Sequence, residues 1–131
     1  MAEGLLKYKL STLNKSECKV SSAGLNALVG YKPDPLACKL MLKKGIDISG
    51  HRACRLTTEM VTKADLILVM ESYQKNILAE NNPSLQGKIF RLGEWGKFDI
   101  SDPYQKELSA FEKSLELIEK GVAEWTEKLC V

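Results

Sequence analysis

The chain has 131 residues, of which 44% are hydrophobic and 27% are charged, a composition typical of one folded domain with a single core. Its 19 basic and 17 acidic side chains leave a formal net charge of +2. Because the basic residues are also scattered, we expect neither nucleic acid nor a membrane surface as a partner. No apolar run approaches the roughly 18 residues of a membrane span, and the first residues carry no secretory signal pattern. We therefore expect a cytoplasmic protein.

The four cysteines are expected to be reduced thiols in that compartment. Cys18, Cys38, Cys54 and Cys130 contain no Cys-x2-Cys pair, and His51 is the sole histidine. This spacing does not match a zinc site, so no metal is predicted.

The first half of the chain predicts two helices and one strand. Leucines at helical spacing predict a helix over residues 2–10, and a short strand follows over residues 19–22. Asp34 is a natural N-cap and Pro35 suits the first position of a second helix, which ends at Gly45.

The second half continues with a polar loop over residues 46–56 and a strand over residues 65–70. The strand is a continuous apolar run, which is typical of a strand covered on both faces. A helix over residues 72–80, a strand over residues 88–92 and a long helix over residues 105–129 complete the chain. One apolar stripe runs along the last helix. Its members are Leu108, Phe111, Leu115, Ile118, Val122, Trp125 and Leu129.

The alternation of helices and strands predicts an α/β fold with a parallel sheet between helices. Ligands of such folds bind at the carboxyl ends of strands, often where the first strand leads into a helix. This chain begins on a helix with no strand before it. The usual place for a phosphate is therefore where the sequence starts.

Six segments occur together in an order that covers nearly the whole chain. They are VSSAGL at 20–25, GIDISGHRACRLT at 45–57, ADLILVMES at 64–72, GKIFRLGEW at 87–95, DISDPYQK at 99–106 and AFEKSLELIEKGVAEW at 110–125. In this order the chain resembles the low-molecular-weight protein-tyrosine phosphatase family, and most of all its bacterial branch. The resemblance implies one domain over residues 1–131, a three-layer sandwich with a small parallel sheet flanked by helices.

The family also carries a phosphate-binding loop of the form Cys-x5-Arg-Ser-Pro, followed by a helix that begins like residues 1–6 here. No cysteine in this chain has an arginine six residues after it. The first strand and its loop are missing, so we expect an N-terminally truncated domain.

The resemblance implies hydrolysis of phosphotyrosine through a phosphocysteine intermediate, with no metal or cofactor. A thiolate attacks phosphorus, backbone N–H groups and an arginine hold the phosphoryl oxygens, and a carboxylic acid protonates the leaving phenolate. Only the acid is retained here, and the chain as written is expected to be inactive.

The family pattern assigns five residues of this sequence to the site. Asp102 is the general acid and later the base that activates water, Tyr104 lines the slot for the substrate ring, and Leu28 walls that slot. Ser22 and His51 support the phosphate loop through hydrogen bonds. A second interpretation, from local sequence alone, makes Asp102 the N-cap of the last helix and Tyr104 a packing residue.

Two other functions are open. One is a non-catalytic pseudo-phosphatase that binds a protein partner, although a retained acid without a nucleophile argues against it. The other is arsenate reduction, which needs the missing cysteine and a relay of thiols. Cys38 and Cys54 show no recognisable relay pattern.

The missing interior strand is expected to open the core. Burial of four aliphatic side chains is worth roughly 6–12 kcal/mol, against roughly 5–15 kcal/mol for the stability of a whole domain. We therefore expect the chain to be unstable alone, to form a strand-swapped oligomer, or to need a partner strand. The expected substrate is a phosphotyrosine protein, such as a bacterial tyrosine kinase of polysaccharide export.

Overall fold

The computed structural model describes residues 1–15 and 17–129, which leaves the predicted free thiol of Cys130 outside the described residues. The helices are α1 (Ala2–Thr12), α2 (Pro35–Leu42), α3 (Thr58–Lys63), α4 (Ser72–Asn81) and α5 (Leu108–Leu129). The strands are β1 (Ile67–Val69) and β2 (Ile89–Arg91), and a 3-10 helix, Pro83–Lys88, leads into β2. Across these residues, no helix combines the length and the apolar character that crossing a bilayer requires.

The start of α2 confirms the prediction from Asp34 and Pro35. Asp34 Oδ1 accepts a hydrogen bond from the Leu36 N–H at 2.8 Å, and Pro35 is the first helical residue. Gly45 follows the helix with a φ of +76°, a conformation that glycine adopts without strain.

The polar loop over residues 46–56 is also found, but the sequence did not predict α3 directly after it. Thr57 caps α3, its Oγ1 accepting from the Met60 N–H at 3.2 Å. Because this six-residue helix buries only Val61, its sequence carries too little apolar periodicity to be recognised.

The sheet is shorter than predicted. β1 and β2 pair in parallel, with Ile67 opposite Ile89 and Val69 opposite Arg91. The strand predicted over residues 19–22 is wrong, since those residues form no strand and the nearby pairing is one parallel bridge between Gly24 and Arg55. A strand needs a neighbour to pair with, and within the described part of the chain the sheet is two-stranded.

Side chains of the two strands alternate between two apolar clusters. Leu68 and Phe90 face a cluster built with α1, α2 and α5. Val69 and Ile89 face a second cluster, built with α3 and α4. The sheet thus lies between two helical layers, which confirms the predicted three-layer α/β architecture.

The core is only partly closed on the β1 side. Of the three residues in β1 only Val69 is fully buried. Ile67 and Leu68 pack against opposite clusters but stay partly exposed, so the predicted cover on both faces is present and incomplete. The chain exposes 8450 Å² of surface, about a fifth more than the ~6,900 Å² expected of a folded monomer of this mass.

The apolar stripe of α5 confirms its prediction. Phe111, Ile118 and Trp125 are among its fully packed members. The helix begins at Leu108 rather than at residue 105. Leu129, at the last turn, is half-exposed and is the one predicted member that does not pack into the core.

Gly121 lies where α5 packs against Leu92, one residue beyond β2. A Cβ at this position would lie 2.8 Å from Leu92 Cγ and 2.9 Å from the Leu92 carbonyl oxygen. Alanine in place of glycine normally stabilises a helix by roughly 0.5–1 kcal/mol. Here we expect Gly121→Ala to destabilise the protein by about 1–3 kcal/mol, because the helix must move away from Leu92.

Urea unfolding measures this difference. Gly50→Ala is the control, since a Cβ at Gly50 meets nothing within 4 Å. A Gly121→Ala midpoint equal to or above that of the unsubstituted chain would contradict the close packing of α5 on Leu92.

Candidate active site

The loop that carries Asp102 is fixed to the protein immediately before that residue. The Ile100 N–H donates to the Met70 carbonyl at 2.9 Å, one residue beyond β1, and the Ile100 side chain is only 2% exposed. Ser114 of α5 donates from its Oγ to the Ser101 carbonyl at 2.9 Å. These bonds place the loop at the carboxyl edge of the sheet, where ligands of α/β folds bind.

Asp102 and Tyr104 share one exposed turn. Asp102 Oδ1 accepts a hydrogen bond from the Tyr104 N–H at 3.0 Å, and the Lys106 N–H donates to the Pro103 carbonyl at 2.9 Å. Gln105 then adopts a positive φ of 62°, so the backbone leaves the turn before α5 begins. The interpretation of Asp102 as the N-cap of the last helix is therefore wrong. The Tyr104 side chain is 49% exposed.

Ser22 and His51, the two predicted supporting residues, meet at a carboxylate of α1. The Ser22 Oγ donates to Glu3 Oε1 at 2.9 Å, and His51 Nδ1 lies 3.6 Å from Glu3 Oε2. Partial burial alone would raise the pKa of Glu3, but the Ser22 hydroxyl and the Lys7 ammonium outweigh it and lower that pKa. Sequence reasoning gave Glu3 no role, and its pairing with Lys7 four residues on was the one local sign.

A small cavity of about 190 Å³ lies beside this group, and Ser22, His51 and Cys54 are among the residues that line it. Cys54 Sγ donates to the Ser22 carbonyl at 3.3 Å. The Gly24 N–H donates to the Cys54 carbonyl at 2.9 Å, which holds the two segments together. Cys54, Cys38 and Cys18 are free thiols, as expected.

Leu28 lies on an exposed loop that returns to the segment carrying His51. The Tyr31 N–H donates to the Leu28 carbonyl, and the Gly30 N–H donates to the Ala53 carbonyl at 2.8 Å. The Leu28 side chain is 47% exposed. Within residues 1–15 and 17–129 no hydrogen bond joins this loop to the turn of Asp102, so the role of Leu28 stays a prediction.

A second polar group, which the sequence did not reveal, lies just ahead of the Asp102 turn. Asp99 Oδ1 accepts from Arg91 Nη1 and from Ser72 Oγ, both at 2.9 Å, and its Oδ2 accepts from the Ser72 N–H at 3.1 Å. The Arg91 guanidinium, followed by the Ser72 N–H, holds the pKa of Asp99 below its usual value. Ser72 and Asp99 are 27 residues apart, so no local spacing could have predicted the contact.

A family model described as low molecular weight phosphotyrosine protein phosphatase matches residues 1–130. The chain belongs to this family. Its resemblance to these phosphatases, and its assignment to a family of phosphate-ester hydrolases, are thereby confirmed.

Relatives within and around the phosphatase family agree with this assignment. The probable low-molecular-weight protein-tyrosine-phosphatase EpsP of Ralstonia nicotianae is 47% identical over 129 residues, which are 98% of this chain and 86% of that protein. The crystal structure of the Erwinia amylovora tyrosine phosphatase AmsI has a TM-score of 0.87 and 36% identity, and covers 97% of this chain and 82% of that one. The YwlE arginine phosphatase from Geobacillus stearothermophilus also has a TM-score of 0.87, at 27% identity. The match covers 98% of this chain and 82% of that one.

Proposed function

We propose that this chain supplies the acid–base and substrate-slot part of a phosphotyrosine phosphatase site, and that hydrolysis requires a Cys-x5-Arg segment which its 131 residues do not include. The observation that carries the proposal is the anchored turn of Asp102 at the carboxyl edge of the sheet. Family membership supports the reaction type. No cysteine in the chain is followed by an arginine at the sixth position, which supports the second half of the proposal.

Asp102 has two consecutive roles in this proposal. As an acid it gives its proton to the tyrosyl oxygen while a cysteine sulfur bonds to phosphorus and the bond between phosphorus and that oxygen breaks. As a carboxylate it then takes a proton from the water that displaces the sulfur. Because the Tyr104 N–H occupies Oδ1, we assign the proton transfers to Oδ2.

Tyr104 and Leu28 are proposed to hold the aromatic ring of the substrate. Both are large side chains left about half-exposed, and a tyrosyl ring would gain by packing against an aromatic and an aliphatic group. Ser22 and His51 are proposed to hold the phosphate loop. Glu3 joins this role because it binds the Ser22 hydroxyl and lies beside the His51 imidazole.

The proposed substrate is a phosphotyrosine protein of the cytoplasm, and the partner we expect is a bacterial tyrosine kinase of polysaccharide export. The name of the Ralstonia relative specifies a tyrosine phosphatase at 47% identity, whereas the arginine phosphatase is a more distant neighbour at 27%. We therefore favour phosphotyrosine over phosphoarginine, and assays of both phosphorylated amino acids separate them.

Hydrolysis of p-nitrophenyl phosphate tests the proposal. The 131-residue chain is compared with a longer version in which a strand and a Cys-x5-Arg-Ser-Pro loop precede Met1. We expect turnover only by the longer version, and we expect Asp102→Asn to reduce its kcat by about 10²–10⁴-fold, the usual contribution of a general acid.

Asp47→Asn is the matched control for this substitution. Asp47 is an exposed carboxylate whose Oδ1 accepts from the Ser49 N–H at 2.9 Å, the same local bond that Asp102 makes, and its loss should leave kcat unchanged. Turnover by the 131-residue chain would refute the requirement for the added segment. Two folded but inactive versions would instead favour the pseudo-phosphatase that binds a partner.

We further propose that the chain on its own completes its sheet with a strand from a second copy. The two-stranded sheet and the extra exposed surface support this expectation. Light scattering should give a mass above that of one chain, and the urea midpoint should rise with protein concentration. A monomer with one sharp, concentration-independent transition would contradict it.

A further inference from the structure

Arg91 lies between two carboxylates at the end of β2. Its Nη1 donates to Asp99 Oδ1 at 2.9 Å and to Ser72 Oγ at 3.3 Å, and its Nη2 lies 3.9 Å from Glu94 Oε2. The side chain is 19% exposed. Partial burial would raise the pKa of Glu94, but the Arg91 N–H and the Lys75 ammonium outweigh it and lower that pKa. Both carboxylates therefore favour the charged form, which the guanidinium needs as a partner.

The backbone of Arg91 is also held by hydrogen bonds to two side chains. Its N–H donates to Glu94 Oε1 at 3.2 Å, and its carbonyl accepts from Trp125 Nε1 at 3.0 Å. Exposed ion pairs contribute little because long side chains must give up their freedom to form them. The backbone N–H and carbonyl of Arg91 are both hydrogen-bonded. Its guanidinium therefore gives up less freedom on forming an ion pair than a side chain on a mobile backbone would.

Asp99 connects Arg91 to the loop that carries Asp102. Three consecutive residues ahead of Asp102 are anchored. Asp99 binds Arg91 and the first residue of α4, Ile100 binds the end of β1, and Ser101 binds α5. The Asp99 anchor is the one among these three that involves an ion pair. It is also the one that joins the loop to β2.

We propose that Arg91 is a positioning residue for the general acid, because its ion pair with Asp99 fixes the loop over residues 99–104 and so sets where Asp102 meets the leaving oxygen. This inference rests on the proposed role of Asp102. A misplacement of about 1 Å at a reacting group can cost as much as ~100-fold in rate, so an anchor three residues away can matter to catalysis.

Amide hydrogen exchange on the 131-residue chain tests the anchoring directly. In Arg91→Gln, we expect the Ile100 N–H, which bonds to Met70, to exchange at least about tenfold faster through local opening of the loop. The Leu92 N–H, which bonds to Val69 within the sheet, should keep its rate. If Ile100 is unchanged, or if Leu92 accelerates equally, the anchoring role is overturned.

Lys44→Gln is the matched control for the loss of charge. Lys44 forms a shorter ion pair, 2.7 Å from Glu119, between side chains that are 36% and 43% exposed, and its removal should change neither amide. Asp99→Asn is the second variant, in case Arg91→Gln fails to fold. It keeps the shape of the side chain and removes the charge, and it should reproduce the accelerated exchange at Ile100.

The leaving group of the substrate tests the catalytic consequence in the longer version. A poor leaving group such as phenol needs the proton from Asp102, whereas 2,4-dinitrophenol leaves without it. We expect Arg91→Gln to lower kcat/KM about 10–100-fold on phenyl phosphate and less than about threefold on 2,4-dinitrophenyl phosphate. The ratio kcat/KM reports formation of the phosphocysteine and excludes the later water step, in which Asp102 is the base for both substrates. Equal losses on both substrates would show a general structural defect and overturn the proposal.

A double substitution separates this proposal from the role of Asp102 itself. If Arg91 acts through Asp102, Arg91→Gln should cause no further loss in the Asp102→Asn background. A full additional loss would show that Arg91 acts elsewhere. If Asp102→Asn alone leaves kcat unchanged, or if the longer version is inactive, the proposed function fails. The exchange of Ile100 then still decides whether Arg91 anchors the loop.

Discussion

The apolar face of α5 is the surface on which the rest of the described structure depends. It fills the core against α1 and α2, and polar or small residues of the same helix meet the sheet and the loop of Asp102. Ser114 donates a hydrogen bond to the Ser101 carbonyl, and Trp125 donates one to the Arg91 carbonyl. Gly121 has no side chain, which leaves room for Leu92 against the helix. Core packing and the geometry of the candidate acid are therefore parts of one arrangement. A substitution that moves α5 should therefore also shift the position of Asp102.

The candidate site residues fall into two groups that are anchored to different parts of the fold. Asp102 belongs to a loop fixed by hydrogen bonds and one ion pair to β1, β2, α4 and α5. Ser22 and His51 belong to a second group that meets at Glu3 of α1. The Asp102 loop makes its anchoring contacts to four elements of the fold, whereas Ser22 and His51 of the second group line a small open cavity. Under the proposed function, this difference is expected of a chain without a Cys-x5-Arg loop.

The features predicted correctly from the sequence are those that depend on residues close together in the chain. They include the three- and four-residue spacing in α5 and the Asp34-Pro35 start of α2. The strand over residues 19–22 failed because pairing depends on a distant neighbour, and α3 was too short to show a period. The family resemblance, and not the local Asp-Pro-Tyr pattern, made Asp102 the candidate acid. The contacts that hold it, from Arg91 and Ser72 to Asp99, join separate segments and have no signature in a single sequence.

In the proposed function, this chain supplies the acid and its supports, and its 131 residues lack the Cys-x5-Arg phosphate cradle. Calorimetric titration of the chain with benzylphosphonate, a non-hydrolysable aryl-phosphate mimic, tests it without any need for turnover. We predict no saturable binding at millimolar ligand, since the oxyanion donors of a Cys-x5-Arg loop are lacking. Saturable binding with a Kd tighter than about 1 mM, displaced by inorganic phosphate, would show that the chain contains an anion site of its own and would contradict the claim.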